Sequence, residues 1–496
     1  MYLASDIKGC DSTADRRLEV SALLKPIGKQ PKTGSNLQLD QTAEARARTA
    51  PAVYWLVPPL VVVFTFIAFL PALQNAFVDL DDSKMLIENL RYRGLGWEGI
   101  RWMFATFHMG HYQPLSWVAF GLDYLLWEMD PFGFHLTSLI LHTANAVLFY
   151  FVCVRLLSLS IPAVSEGLPL QVAAGFSALV FAIHPLRVES VAWATARQDV
   201  LSGLFFLATI LCYLRAVTGT GSSRRRWTVA ALALYSLSLL SKASGITLPL
   251  ALLVLDVYPL RRLRGGLRMW WAPVTRRIWW EKIPFFLLAV LFGIIALLAQ
   301  REAAALAPVE RYSVTVRVTQ PFYEIAFYLW KTVIPLGLSP LYEMPRNLNL
   351  WSWPFLLSGM VVLIVSVALV IFRRHWPAGL AVWFCYLVTL APVLSIANRG
   401  PQLAADRNSY LSCLAFALLA GAALLYCWRA WAAAPIRWGS FIAVTGMAGL
   451  VLVLLGVLTW KQAQVWYNGE RLWKHALVVD PRSRWAHHYL GRALYD

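Results

Sequence analysis

The chain has 496 residues, 58% of them hydrophobic and only 14% charged, and its mean hydropathy is +0.56. A soluble protein carries about 25% charged residues to cover its surface, so a water-soluble globule is excluded and most of this surface faces lipid. The net charge of +17 does not point to nucleic acid, because the basic residues fall in short blocks between apolar runs, the positive-inside pattern of membrane topology.

Residues 1–50 are polar and basic and contain no apolar stretch of signal-peptide kind, so they read as a disordered cytoplasmic tail. Beyond them, runs long enough to cross hydrocarbon are expected near 53–73, 134–157, 171–185, 199–217, 228–241, 243–258, 283–300, 353–372, 376–396, 408–428 and 437–459. This predicts an all-α polytopic membrane protein, with about 11 transmembrane helices within residues 51–460. The stretch 228–258 fits either a kinked hairpin or one long helix. Basic blocks at Arg224, Arg225 and Arg226, at Arg261 to Lys282, at Arg373 and Arg374, and at Arg429 and Arg437 set the N-terminus in the cytoplasm and the C-terminus outside.

Two long outer loops, 74–133 and 301–352, mix apolar and charged residues and are expected to form amphipathic helices at the outer leaflet. A span at 322–338 would invert every later loop, so that piece reads as re-entrant or interfacial. Residues 461–496 form an external helical segment. Its Asp480-Pro481, Ala486 and closing LGRALYD look like the start of a tetratricopeptide repeat, which cannot bury its apolar face alone. Either the chain is cut short there, or this helix packs on the membrane domain. The 23 Trp and 19 Tyr suit an interfacial belt. Cys153, Cys212, Cys385, Cys413 and Cys427 fall in apolar runs and Cys10 in the tail, without metal-ligand spacing.

Charges beside or within apolar runs are costly and mark function. Asp79, Asp81 and Asp82 follow the first span. They supply a general base or metal ligand, or else merely complement the macrodipole of a helix N-terminus. His184, Arg187, Glu189, Arg197 and Asp199 gather at the end of one span and the start of the next, with Glu189 and Trp193 sharing a helix face. Lys242 sits in a glycine-containing break, where a lysine either snorkels outward or meets an anion. Asp406, Arg407 and Tyr410 open a late span; the planar fork of Arg407 suits a phosphate, and an Asp–Arg helix cap is the plain alternative. His108 and His111 lie i, i+3, and His135 and His142 share a helix face, but no acid stands at metalloprotease spacing and no metal site is predicted.

Taken in order, FVDLDD (77–82), HYQPLSW (111–117), FHLTSLILHTANA (134–146), FAIHPLRVESVAW (181–193), LLSKASGIT (239–247) and ADRNSYL (405–411) resemble the bacterial relatives of the transmembrane-and-tetratricopeptide (TMTC-like) O-mannosyltransferases. These belong to the GT-C class of membrane glycosyltransferases. The resemblance covers roughly residues 53–496. It implies a GT-C-like bundle and a polyprenyl- or dolichyl-phosphate sugar donor, typically mannose. It implies transfer to a protein Ser or Thr hydroxyl at the non-cytoplasmic face, here the periplasmic side of a bacterial inner membrane.

By matching position, the resemblance implies Asp81 or Asp82 as the catalytic acid/base, Asp81 first. His184, Glu189 and Arg197 would line the same cavity, Lys242 and Arg407 would face the lipid phosphate, and Arg187, Asp406 and Tyr410 complete the substrate-binding set. The sequence departs from the family at Lys242-Ala243, where relatives have Lys-Glu, and at Arg197-Gln198-Asp199, where many have Arg-Lys-Asp. The family's repeat array is absent apart from its first half-helix.

The chemistry fits independently. A carboxylate deprotonates the acceptor hydroxyl, and Arg or Lys stabilises the departing phosphate, so two cations can serve without metal, a divalent ion being the other option. No cofactor is implied, since the lipid-linked sugar is a substrate. The competing readings are a transporter or lipid flippase, which calls for midplane charges and inverted repeats, and a non-catalytic membrane scaffold.

Overall fold

The computed structural model describes residues 55–161, 167–303, 314–344, 351–394, 402–433 and 438–495. The expected tail 1–50, Cys10 and Arg437 lie outside them. In chain order the helices are α1 (Trp55–Gln74), α2 (Trp97–Ala105), α3 (Pro114–Trp127), α4 (Pro131–Ser160), α5 (Leu168–Ala182), α6 (Val188–Ala192), α7 (Arg197–Thr218), α8 (Gly221–Ser241) and α9 (Leu248–Val257). They continue as α10 (Leu267–Trp270), α11 (Arg276–Glu302), α12 (Val314–Val333), α13 (Trp353–Ile371), α14 (Pro377–Leu390), α15 (Ser409–Ser412), α16 (Leu414–Ala433), α17 (Trp438–Val465), α18 (Gly469–Val479) and α19 (Arg484–Tyr495). Two short strands, β1 (Tyr342–Glu343) and β2 (Gln402–Ala404), pair antiparallel with Tyr342 opposite Ala404.

Local chemistry sets the helix ends. Pro114, Pro131 and Pro377 open α3, α4 and α14, where a missing N–H costs nothing because no intrahelical acceptor exists for it. Asp130 caps α4 by accepting the Phe132 N–H at 3.0 Å. At His184-Pro185 the chain turns by 54° between α5 and the segment Pro185–Ala192. Lys242 is extended (φ −160°, ψ 136°) and ends α8 before a 3-10 turn, Ala243–Thr247, leads into α9. The 228–258 stretch is therefore broken and not one long helix.

Every expected apolar run falls on helical segments, but fewer qualify as spans than the expected count of about 11. Among the described residues seven helices are long and apolar enough to cross a membrane, or eight if the bent pair at His184 is one span. The shortfall has local causes. Ala243–Val257 and Pro377–Val393 are short, and α8 opens with Arg224, Arg225 and Arg226. The outward faces of α11, α13 and α17 expose Leu287, Val290, Leu363, Ile364, Leu450 and Val453. Hydrocarbon accepts such a surface and water does not. The chain is an all-α, multi-pass membrane protein.

A single large core joins α1, α4, α5, α7 and α8 through residues such as Phe69, Tyr150, Phe181, Phe206 and Tyr235. Gly421 lets α16 approach α5, because a Cβ there would collide with the Ser177 side chain and the Ala173 carbonyl. The 74–133 segment folds as turns, α2 and α3 around buried Tyr92, Trp117 and Phe120. Helix α12 packs on α13 and α14 through Ile325, Tyr328, Val362 and Trp383, and the Tyr386 hydroxyl donates to the Ile325 carbonyl at 2.6 Å.

The C-terminal helical segment packs part of its apolar face on the rest of the chain. Helices α18 and α19 pair, with Trp473 stacked on Tyr489 at 4.7 Å. Their shared patch of Trp473, Ala476 and Ala486 closes over Leu341 and reaches Leu80. Glu343 on β1 clasps the pair, accepting from Ser483 Oγ at 2.9 Å and from Arg484 at 2.8 Å. Replacing Trp473 by Ala removes a fully buried indole, a loss of about 3–5 kcal/mol. The expected outcome is faster limited proteolysis within α18 and α19 with an unchanged size-exclusion profile; unchanged proteolysis would show that the clasp does not depend on this contact.

Candidate active site

The acids are held by the turn that follows α1. Asn75 Nδ2 donates to the Ala463 carbonyl at 3.3 Å and the Ala76 N–H to the Tyr467 carbonyl at 2.8 Å, fixing the chain against the end of α17. Asp82 is fully buried, and its carboxyl oxygens accept the N–H groups of Val78 at 3.0 Å and Thr195 at 3.2 Å. It thereby staples its own turn to the one between α6 and α7. Burial lifts the Asp82 carboxyl to about 7, against the pull of the Val78 and Thr195 donors.

Asp81 is only partly buried. Burial raises its carboxyl, while Arg407 and Lys84 draw it partly back. Asp79 turns away, accepting the Ser83 hydroxyl at 2.9 Å and pairing with Arg492 of α19 at 2.8 Å.

Opposite the acids, Glu189 on α6 is paired with Arg407. Its carboxylate accepts the Arg407 backbone N–H at 2.8 Å and forms an ion pair with the guanidinium. That guanidinium lies 5.2 Å from the centre of the Trp193 ring, and Trp193 stacks on Trp466. The charges of Glu189, Asp199 and Asp81 all act on Arg407, and Lys242 meets Asp199 at 2.6 Å. Two ion pairs, Glu189–Arg407 and Asp199–Lys242, thus form a polar junction between the α6–α7 corner, the α8 break and the turn after β2, and the charge of Asp81 in the 77–82 turn reaches Arg407.

The remaining expected residues lie behind this junction. Arg187 donates to the Ser409 carbonyl at 2.8 Å and hydroxyl at 3.0 Å. Arg197 donates to the Phe134 carbonyl at 2.6 Å and is ion-paired with Asp123. His184 Nε2–H donates to the Thr332 carbonyl at 3.1 Å while Nδ1 accepts the Leu186 N–H at 3.2 Å. The Tyr410 hydroxyl donates to His142 Nδ1 at 2.8 Å and accepts from Asn145 at 2.8 Å. Gly203 makes room for the Tyr410 ring, since a Cβ there would lie 2.8 Å from it. Asp406 accepts the Tyr342 hydroxyl at 2.9 Å; burial, reinforced by the Glu189 charge, pushes its carboxyl well up.

Sequence reasoning missed two participants. Asp123, in α3, carries no signal that it balances Arg197, 74 positions further along the chain in another helix. Gln113, 1% exposed, has no hydrogen-bond partner on either end of its amide. Leaving such a group bare costs about 1–3 kcal/mol, so it calls for a water or ligand. Its turn is fastened beside Lys242 by a 2.9 Å bond from Ser116 Oγ to the Ser241 carbonyl. The only sequence signal was its place in HYQPLSW. Among the described residues no group of three or more His, Cys, Asp or Glu gathers as metal ligands.

No family model matches the chain. It is similar to Protein O-mannosyl-transferase Tmtc3 of Drosophila melanogaster, 32% identical over 166 residues that make up 31% of this chain and 18% of that protein. It is 32% identical over 155 residues to Protein O-mannosyl-transferase TMTC2 of Homo sapiens, covering 31% and 17% of the two chains. Protein O-mannosyl-transferase TMTC4 of Mus musculus is 30% identical over 215 residues, 39% of this chain and 29% of the relative. These are the TMTC-like proteins to which the motifs pointed, and the matches span less than a third of the relatives' own length.

The pH response of Asp82 follows from its surroundings. The folded carboxyl titrates near 7 and the unfolded one near 3.8, so between these values only the unfolded state gives up its proton. Stability contributed by the protonated group is full below the lower value and is lost as pH rises through the upper one. Asp82→Asn lacks this loss. Its stability relative to the parent is expected to climb by a few kcal/mol, in order of magnitude, from about pH 4 to pH 7, read by thermal unfolding in detergent. A constant difference across that range would refute the assignment.

Proposed function

We propose that the chain is a membrane glycosyltransferase of GT-C-like architecture that moves a sugar, mannose-like, from a polyprenyl- or dolichyl-phosphate donor to a hydroxyl acceptor, a protein Ser or Thr. The reaction takes place at the non-cytoplasmic face, the periplasmic side of a bacterial inner membrane, with the N-terminus in the cytoplasm. The observation that carries this reading is the pairing of Arg407 with Glu189 in a polar region whose charge also reaches the partly exposed carboxyl of Asp81. The names of the curated relatives, protein O-mannosyl-transferases, point the same way.

Asp81 is the base in this reading, because both oxygens of Asp82 are committed to backbone donors. A carboxyl raised by burial holds an abstracted proton better than an ordinary aspartate. Asp81 takes the acceptor's proton as the hydroxyl oxygen bonds to the anomeric carbon. The bond from that carbon to the phosphate oxygen breaks, and its electron pair leaves with the lipid phosphate.

The developing charge needs cations. Arg407 and Lys242 retain 21% and 17% side-chain exposure while paired, whereas Arg187 and Arg197 are sealed at 1% and 0%. The first two therefore face the phosphate, and the second two position the elements that carry them. Gln113, with its bare amide in the turn that precedes α3, reads a hydroxyl of the sugar.

Asp81→Asn is expected to lower transfer by roughly 10²–10⁴-fold with unaltered expression and folding. The assay is purified protein in vesicles with polyprenyl-phosphate mannose and a Ser/Thr peptide, read as released lipid phosphate. Parent-like turnover by the Asn variant would sink the proposal. Sugar uptake into the vesicles without transfer would favour transport instead.

A further inference from the structure

A cavity of about 620 Å³ lies between α4, α7, α9, α14 and α16, well within the roughly 300–1,000 Å³ that small ligands fill. Its walls are almost entirely apolar, as Leu157, Ile210, Leu255, Ala381, Cys385 and Leu418 illustrate. Leu411 and Ser412 line it near the start of α16, and Tyr258, His375 and Tyr426 line it near the ends of α9 and α16 and the start of α14.

Chain direction places the last three. Helices α7 and α16 start beside the polar junction, at Arg197 and just after Arg407, and run away from it. The polar end of the cavity therefore lies on the face remote from Asp81. On that face Tyr258 leads into Arg261 and Arg262, His375 follows Arg373 and Arg374, and Tyr426 precedes Arg429. Arg261, Arg373, Arg374 and Arg429 are exposed.

We infer that this slot holds one acyl chain of an anionic phospholipid drawn from the leaflet on the basic face, with the lipid phosphate against the arginines around His375. An apolar cavity does not hold water stably, and in a bilayer the filler at hand is a lipid chain. The exposed arginines select the headgroup, since each adds about a fivefold gain in attraction to an anionic lipid. The slot is separate from the sugar-phosphate site, because Arg407 lies at the opposite ends of the same helices. The turn Ala243–Thr247 packs against α14, so a chain in the slot braces the wall behind Lys242.

The test uses the full chain in vesicles containing phosphatidylglycerol with a photoreactive diazirine in its acyl chain, compared with the same probe on phosphatidylcholine. Cross-links mapped to α14 and α16 are expected at least about fivefold denser with the anionic lipid. Ala381→Phe fills the slot and is expected to abolish them while leaving cross-links on the lipid-facing helices α13 and α17. Equal labelling by both lipids, or labelling indifferent to Ala381→Phe, would overturn the inference. Displacement of the probe by polyprenyl phosphate would overturn it as well, by assigning the slot to a donor chain. Should Ala381→Phe not assemble, Arg373→Gln with Arg374→Gln serves: the anionic preference is expected to fall, and an unchanged preference counts against the site.

Discussion

A charge placed inside a helix bundle needs an opposite charge or a set of hydrogen-bonding groups there, because the effective penalty for an unpaired ion is several kcal/mol even after relaxation. Glu189 finds Arg407, Asp199 finds Lys242, and Asp123 finds Arg197. At the ends of the helices remote from these pairs, Asp256 and Lys282 meet at 2.5 Å with both side chains fully buried, and Tyr213 adds a 2.7 Å hydrogen bond to the same carboxylate. Two of the pairs, Glu189–Arg407 and Asp123–Arg197, join elements far apart in the sequence, and the other two tie helices that follow one another closely. In a lipid solvent, where apolar faces do not discriminate one helix from another, these pairs decide which helices become neighbours.

The FVDLDD turn shows how the same rule separates functions. Three nearby carboxylates repel one another, and the fold answers by giving each a different partner. Asp79 goes to α19, Asp82 to two backbone donors, and Asp81 to the neighbourhood of Arg407. Spacing alone does not specify this division. It comes from the α6–α7 corner on one side and the α18–α19 pair on the other.

Long apolar runs were legible because hydropathy sums over many residues, and every such run falls on helical segments. The number of spans was not, because a window of hydropathy does not register a single extended residue such as Lys242 or a turn at His184-Pro185. The polar junction was legible for a related reason: Asp81, Glu189 and Arg407 stand out against apolar flanks. What sequence left hidden was direction. Arg187 and Arg197 carry the same charge as Arg407, yet they turn inward to Ser409 and Asp123, and nothing in their own neighbourhoods announces it. Gln113 was overlooked because a neutral amide leaves no charge signature.

Leu80 stands between Asp79 and Asp81 and belongs to the apolar patch under Trp473 and Tyr489. The seat of the C-terminal helical pair and the posture of the acidic turn are consequently one mechanical unit. Helix α19 touches the turn's residues at two points, the apolar patch around Leu80 and the Arg492–Asp79 ion pair. The acidic turn is thereby held from its outer side by one apolar and one ionic contact, and a substitution in either helix of the pair that loosens them leaves Asp79 without its cation.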